Sequence, residues 1–131
     1  MTATAAVHVV TKASAGTVAE TVDRLTALLA ARGLKVFDVI DHSGEAAANG
    51  LELRDTKVVI FGSPAAGTPV MEAAPLAALD LPLKVLVWDD GGATKVSYTA
   101  PAALAERYGL SDDLAARLAG IEALVDAVVA G

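Results

Sequence analysis

Apolar positions along this chain follow two periods. From Val18 to Leu29 they recur every three or four residues, at Val18, Val22, Leu25 and Leu29, with Leu28 widening the stripe. That spacing lines one face of a helix. Thr17 and Glu20 form a capping box ahead of it, each satisfying a free backbone N–H. Gly33 ends it where a left-handed residue is needed. Elsewhere the period shortens to that of strands. Thr4–Thr11 and Lys35–Asp41 predict strands, the second with Phe37 and Val39 on one face and Val36, Asp38 and Ile40 on the other. Leu53–Phe61 and Leu83–Trp88 are apolar on both faces over much of their length, which puts them inside a sheet. Asp89-Asp90-Gly91-Gly92 predicts a tight hairpin returning through Thr94–Thr99.

Between these elements Ser43–Asn49 reads as a short helix stopped by Gly50. Gly62–Pro69 reads as a loop, and Val70–Ala78 as one or two helical turns interrupted at Pro75. Pro101 suits the first turn of a helix that Gly109 stops. Ser111 caps one final helix over residues 111–130, with a stripe at Leu114, Leu118, Ile121, Leu124, Val125 and Val128, weakened locally at Gly120. The order predicts one domain over residues 1–131. Its class is α+β: a two-layer arrangement with helices on one face of a mainly antiparallel sheet. Strands that are apolar on both faces call for a cover on the second face, and a second copy of the chain can supply it.

Composition sharpens this picture. The 131 residues are 54% hydrophobic but only 4% aromatic, so stacking surface is scarce. The net charge is −6 and the ten basic residues are scattered, which argues against nucleic acid as a partner. Cysteine is absent, which removes thiol catalysis, disulfides and iron–sulfur clusters. The first ten residues lack a basic n-region, and no apolar run reaches the ~20 residues that span a bilayer. The expectation is a cytoplasmic protein with no membrane partner.

Candidate chemistry is sparse. Asp41 and His42 close the second strand, and a histidine can exchange protons near neutral pH. Neighbours in a strand point to opposite faces, so Asp41 does not simply orient His42; the competing reading is a helix cap. His8 lies on a strand face with Ala6 and Val10. A metal site would need it to meet His42, and no His-x-x-x-His or Glu-x-x-His pair exists. No metal or cofactor is expected. Gly62-Ser63-Pro64-Ala65-Ala66-Gly67-Thr68 has the glycine spacing of a P-loop, but Thr68 stands where the lysine belongs. Nucleoside triphosphate binding is therefore set aside. Gly62, Ser63, Gly67 and Thr68 remain candidates for holding an anion, against the reading that they only turn the chain. Trp88 and Tyr98 flank the hairpin and either pair across it or line a pocket. Arg54 and Arg107 are candidate anion clamps.

Several stretches together closely resemble one family. They are Ile40-Asp41-His42, Gly50-Leu51-Glu52-Leu53-Arg54, Ile60-Phe61-Gly62-Ser63-Pro64, Gly67-Thr68-Pro69-Val70-Met71, Ala78 to Trp88, Val96-Ser97-Tyr98 and Leu104 to Leu110. The family is the one catalogued as domain of unknown function 302. The resemblance implies a homodimer with a topology similar to that of the TATA-binding protein, without implying nucleic-acid binding. Ser63 replaces the family's usual asparagine, and Asp55 stands where proline is common. The family has no settled activity.

Three functional readings stand at this point. The leading one is a small dimeric protein that binds a small, partly apolar or anionic ligand at the sheet rim. The second is an acid/base enzyme using His42, with a backbone anion site near Gly67. The third is a structural or protein-interaction module.

Overall fold

The computed structural model describes residues 8–131, so Thr4–Val7 of the expected first strand lies outside the described residues. Strands β1 (Val9–Ala13), β2 (Lys35–Asp41), β3 (Thr56–Gly62), β4 (Leu83–Asp90) and β5 (Ala93–Thr99) form one sheet. Its order is β1-β5-β4-β3-β2, and every pairing is antiparallel. The helices are α1 (Val18–Ala31), α2 (His42–Ala48), α3 (Pro64–Ala73), α4 (Pro101–Tyr108), α5 (Asp112–Leu118) and α6 (Gly120–Val129), with a 3₁₀ turn at Pro75–Asp80. The α+β class and the antiparallel sheet expected from the sequence are both present.

Helix α1 joins the two edge strands, β1 and β2, and so crosses the whole sheet. Its 14 residues make a rod of about 21 Å. Four interstrand spacings amount to about 19 Å, so rod and sheet width agree. The expected capping box is formed: Glu20 N donates to Thr17 Oγ1 (3.1 Å) and Thr17 N to Glu20 Oε1 (3.0 Å).

One face of the sheet presents Val59, Phe61, Val85, Val87, Val96 and Tyr98 to α1 and α6. Leu25 and Leu29 of α1, and Leu124 and Val125 of α6, are essentially sealed from solvent. Each fully buried leucine contributes roughly 1.5–3 kcal/mol of transfer free energy. A smaller cluster of Val70, Ala77, Leu104 and Leu118 joins α3, α4 and α5 beside it. The other sheet face carries Ile40, Val58, Ile60, Leu86 and Trp88. These belong to neither cluster and are only partly buried.

Three elements differ from expectation, each for a local reason. The loop expected at Gly62–Pro69 is largely helix. Pro64 opens α3 at a position that needs no N–H, and the helix continues past Pro69 as the fully buried Val70 anchors it. The single final helix expected over 111–130 is two helices, broken at Ala119–Gly120. Leu118 thereby joins the small cluster while Ile121 joins the large one. Strand β2 shifts register between Val36 and Asp38. The extra residue, Phe37, leaves Val36 opposite Phe61 and Val39 opposite Val59, on the core-facing side, so strict alternation fails there.

Arg24 ties the end of the chain down. Its Nε donates to the carbonyl of Val128 (3.2 Å) and its Nη2 to that of Ala15 (2.6 Å). The first of these bonds adds a side-chain donor to a carbonyl of the last turn of α6 that Gly131 N also reaches, at 3.3 Å.

Candidate functional site

The end of the sheet where β3 finishes and β4 begins opens into a cavity of about 500 Å³. Three features of the sequence build it. The bulge at Phe37 sets that ring, 44% exposed, on the rim. The Gly62-Ser63-Pro64 corner turns β3 into α3, so that Ala66, Gly67, Thr68 and Met71 form one wall. The break at Gly120 lets Leu118 of α5 and Ile121 and Leu124 of α6 form another. Gly62 lies against this corner: a Cβ on it would meet Pro82 Cβ at 3.5 Å and Phe37 Cε2 at 3.8 Å, ordinary contact distances.

The lining is apolar apart from Arg32, Ser63, Thr68 and Arg117. Among the described residues no carboxylate and no histidine lines it. Ser63 is the N-cap residue of α3, yet its hydroxyl makes no cap hydrogen bond. Arg32 is the C-cap residue of α1 and Arg117 lies in the last turn of α5. Among the described residues neither guanidinium has an ion-pair partner; the ion pairs are Lys12–Asp126 and Arg107–Asp80. Lys35 adds a further cation close by, its Nζ 4.9 Å from the Phe37 ring centroid.

The structure gathers Gly62, Ser63, Gly67 and Thr68 at this cavity, at the β3–α3 corner and on the first turns of a helix rather than in a loop. It separates the others. His42 opens α2, just beyond the end of β2, while Lys35, at the start of that strand, pairs with Gly62. The strand between them spans about 20 Å, so His42 does not reach the Gly67 region. Asp41 is the N-cap of α2: its Oδ1 accepts from Gly44 N (2.9 Å) and from Ser43 Oγ (2.8 Å). Those two bonds, the backbone one foremost, hold its carboxyl below the usual carboxylate range. Asp41 therefore acts here as a cap.

Trp88 and Tyr98 do not meet across the hairpin. Trp88 pairs in register with Lys95 on the open face, and its indole N–H donates to Ser97 Oγ (3.0 Å). Tyr98 points into the core, where burial raises its hydroxyl pKa. Neither lines the cavity. His8 precedes β1 at one edge of the sheet and His42 follows β2 at the other, so no metal site joins them. Arg107 is neutralised by Asp80 at 2.7 Å, and the exposed Arg54 borders a second, open recess with Ser43, Ala47, Leu51, Glu52 and Leu53.

Sequence reasoning missed Arg32 and Arg117 as site residues. The signal for Arg32 was its place just before the Gly33 stop, on the turn that feeds β2. For Arg117 it was the nearby Gly120, where the stripe changes partners.

The molecule is thus a small α+β protein with an apolar, arginine-edged cavity at one sheet end. The family model described as "Domain of unknown function DUF302" matches residues 10–128, and the chain belongs to that family. A crystal structure titled as an uncharacterized conserved protein DUF302 from Bacillus stearothermophilus superposes with a TM-score of 0.80. It covers 95% of this chain and 97% of that one at 22% identity, a likeness of fold. Two curated relatives are 41% identical over 109 residues, 81% of this chain. They are "Fluoride-specific ion channel FluC 1" of Brucella suis and "Fluoride-specific ion channel FluC 2" of Brucella melitensis. The matched stretch is 43% of the first and 40% of the second, so the chain spans less than half the length of these relatives. Among the described residues no helix is long and apolar enough to cross a membrane.

Proposed function

We propose that this chain is a small-molecule-binding protein that takes a small, largely apolar ligand into the cavity at the β3–β4 end of the sheet. One observation carries the reading. A recess of about 500 Å³, within the usual size of ligand sites, is walled by aliphatic side chains and edged by a few polar ones. The absence of histidine and carboxylate from its lining favours binding over proton transfer. The acid/base alternative has no matching support, since its histidine and its anion site stand at opposite ends of β2.

Ion conduction, which the Brucella relatives are named for, forms no part of this reading. The stretch they share with this chain is 109 residues, less than half of either relative.

A fluorescent apolar dye, displaced by competing ligands, tests the proposal. Saturable binding is expected, and Ala66→Trp, which fills the cavity, abolishes it while the circular dichroism spectrum stays native. If no apolar probe saturates, or if Ala66→Trp binds as well as the parent, the reading fails.

The partly apolar open sheet face favours a second element of the proposal, a homodimer in which a second copy covers Val58, Ile60, Leu86 and Trp88. It leaves the cavity, at the end of the other face, free to bind.

A further inference from the structure

We infer that the cavity's ligand is a single-chain anionic amphiphile whose acid group is held by Arg32 and Arg117 and whose hydrocarbon body lies along the aliphatic wall. The inference rests on the cavity reading above and adds the chemistry of the ligand.

Charge is the first ground. The chain carries 16 acidic residues against 10 lysines and arginines, yet the charged side chains lining this recess are two arginines and no acid. Cations at helix C-termini complement the helix dipole, and both arginines sit at such ends. The dipole explains their places along α1 and α5. It does not explain why the ends of two different helices bring an arginine each to the border of one apolar cavity, with neither paired to a carboxylate among the described residues. Two guanidiniums beside a low-dielectric wall make a strong site for a carboxylate or phosphate, because the planar fork donates in pairs.

Shape and lining give the second ground. Apart from Phe37 and Phe61 the apolar wall is aliphatic, with Met71, Leu83, Leu118 and Ile121 among its residues. Met71 is flexible enough to follow a bending chain. The Ser63 hydroxyl, unused as a cap, offers a further donor on the wall. A neutral ligand would gain nothing from the two solvated arginines, and a cation would be repelled.

Calorimetry with monomeric probes tests this. Decanoate, decyl phosphate, decanol and decylamine are titrated into the intact protein and into Arg32→Gln, Arg117→Gln and Ala66→Trp. Decanoate or decyl phosphate should bind at least about tenfold more tightly than decanol, with decylamine weakest. From hexanoate to decanoate each methylene should tighten binding about fourfold. Either arginine substitution should cost the anions roughly tenfold and leave decanol unchanged. Both arginines are exposed, so melting temperatures should hold and serve as the folding control. If decanol binds as well as decanoate and the arginine variants change nothing, the head-group inference is overturned while the cavity reading survives. If no probe binds the parent protein better than Ala66→Trp, both are overturned. The carboxylate and phosphate arms tell which acid is preferred.

Discussion

The Trp88 indole N–H donates to the Ser97 hydroxyl at 3.0 Å, and that hydroxyl also lies 2.8 Å from Thr11 Oγ1. One short chain of polar contacts therefore links β4, β5 and β1 across the open face of the sheet. Trp88 is the single tryptophan, so its fluorescence reports this face and no other. The proposed homodimer should shift its emission to the blue as protein concentration rises. Leu86→Glu, on the same face, should hold the chain monomeric by sedimentation and keep the emission red. A concentration-independent spectrum together with a strict monomer would remove the dimer. A ligand in the cavity, at the far end of the sheet, should leave the emission unchanged.

Gly44 and Asp41 set a second expectation. Alanine normally favours a helix over glycine by about 1 kcal/mol. Here a Cβ on Gly44 would stand 2.5 Å from Asp41 Oδ2 and 2.9 Å from its Cγ, so the capping carboxylate must swing away. Gly44→Ala should therefore give no gain in the native background and a gain in Asp41→Ala. Amide hydrogen exchange along α2, with thermal melts of the four proteins, measures the cycle.

Asp80 fastens the 3₁₀ turn to α4 by accepting from the Tyr108 hydroxyl and from Arg107 Nη1. The Tyr108 bond foremost, then burial's smaller opposing effect and the Arg107 bond, leave its carboxyl below the ordinary value of 3.8. A folded-state pKa below the unfolded one stabilises above the unfolded value, and the gain is lost as pH falls through the folded value. The native chain should thus lose this contribution below about pH 4. Asp80→Asn should lose about 1 kcal/mol at pH 7 and show a flatter acid limb in a melting profile. The same bond raises the Tyr108 pKa, so on that side the stabilisation is whole below the tyrosine's ordinary value of 10.0 and fades above it.

Thr17→Ala should cost about 1 kcal/mol, because it empties a cap whose two reciprocal bonds are both present. Chemical denaturation measures it. A loss well under half of that would mean the Glu20 arm alone sustains the start of α1.

Legibility in the sequence followed how local each cause is. The helix at Val18–Ala31, the strand at Lys35–Asp41 and the Gly91-Gly92 turn rest on neighbours in the chain, and the structure has them in place. Gly67 and Thr68 read as loop because glycine and proline dominate local propensity there; burial of Val70 and Ala77 against Leu104 and Leu118 overrode it. Part of the cavity rim was visible, since Gly62, Ser63, Gly67 and Thr68 lie close in sequence. Arg32 and Arg117 were not, because only the tertiary fold brings the ends of α1 and α5 to the border of one cavity. His42 looked chemical as a residue type and proved to be remote once strand direction was known.

The near-equality of α1 and the sheet it crosses acts as a ruler. Removing four residues from that helix would shorten it to about 15 Å, about 4 Å less than the sheet it crosses. Changes of length belong instead to the irregular segment after α2, residues 49–55, which crosses nothing and whose leucines lie open to solvent.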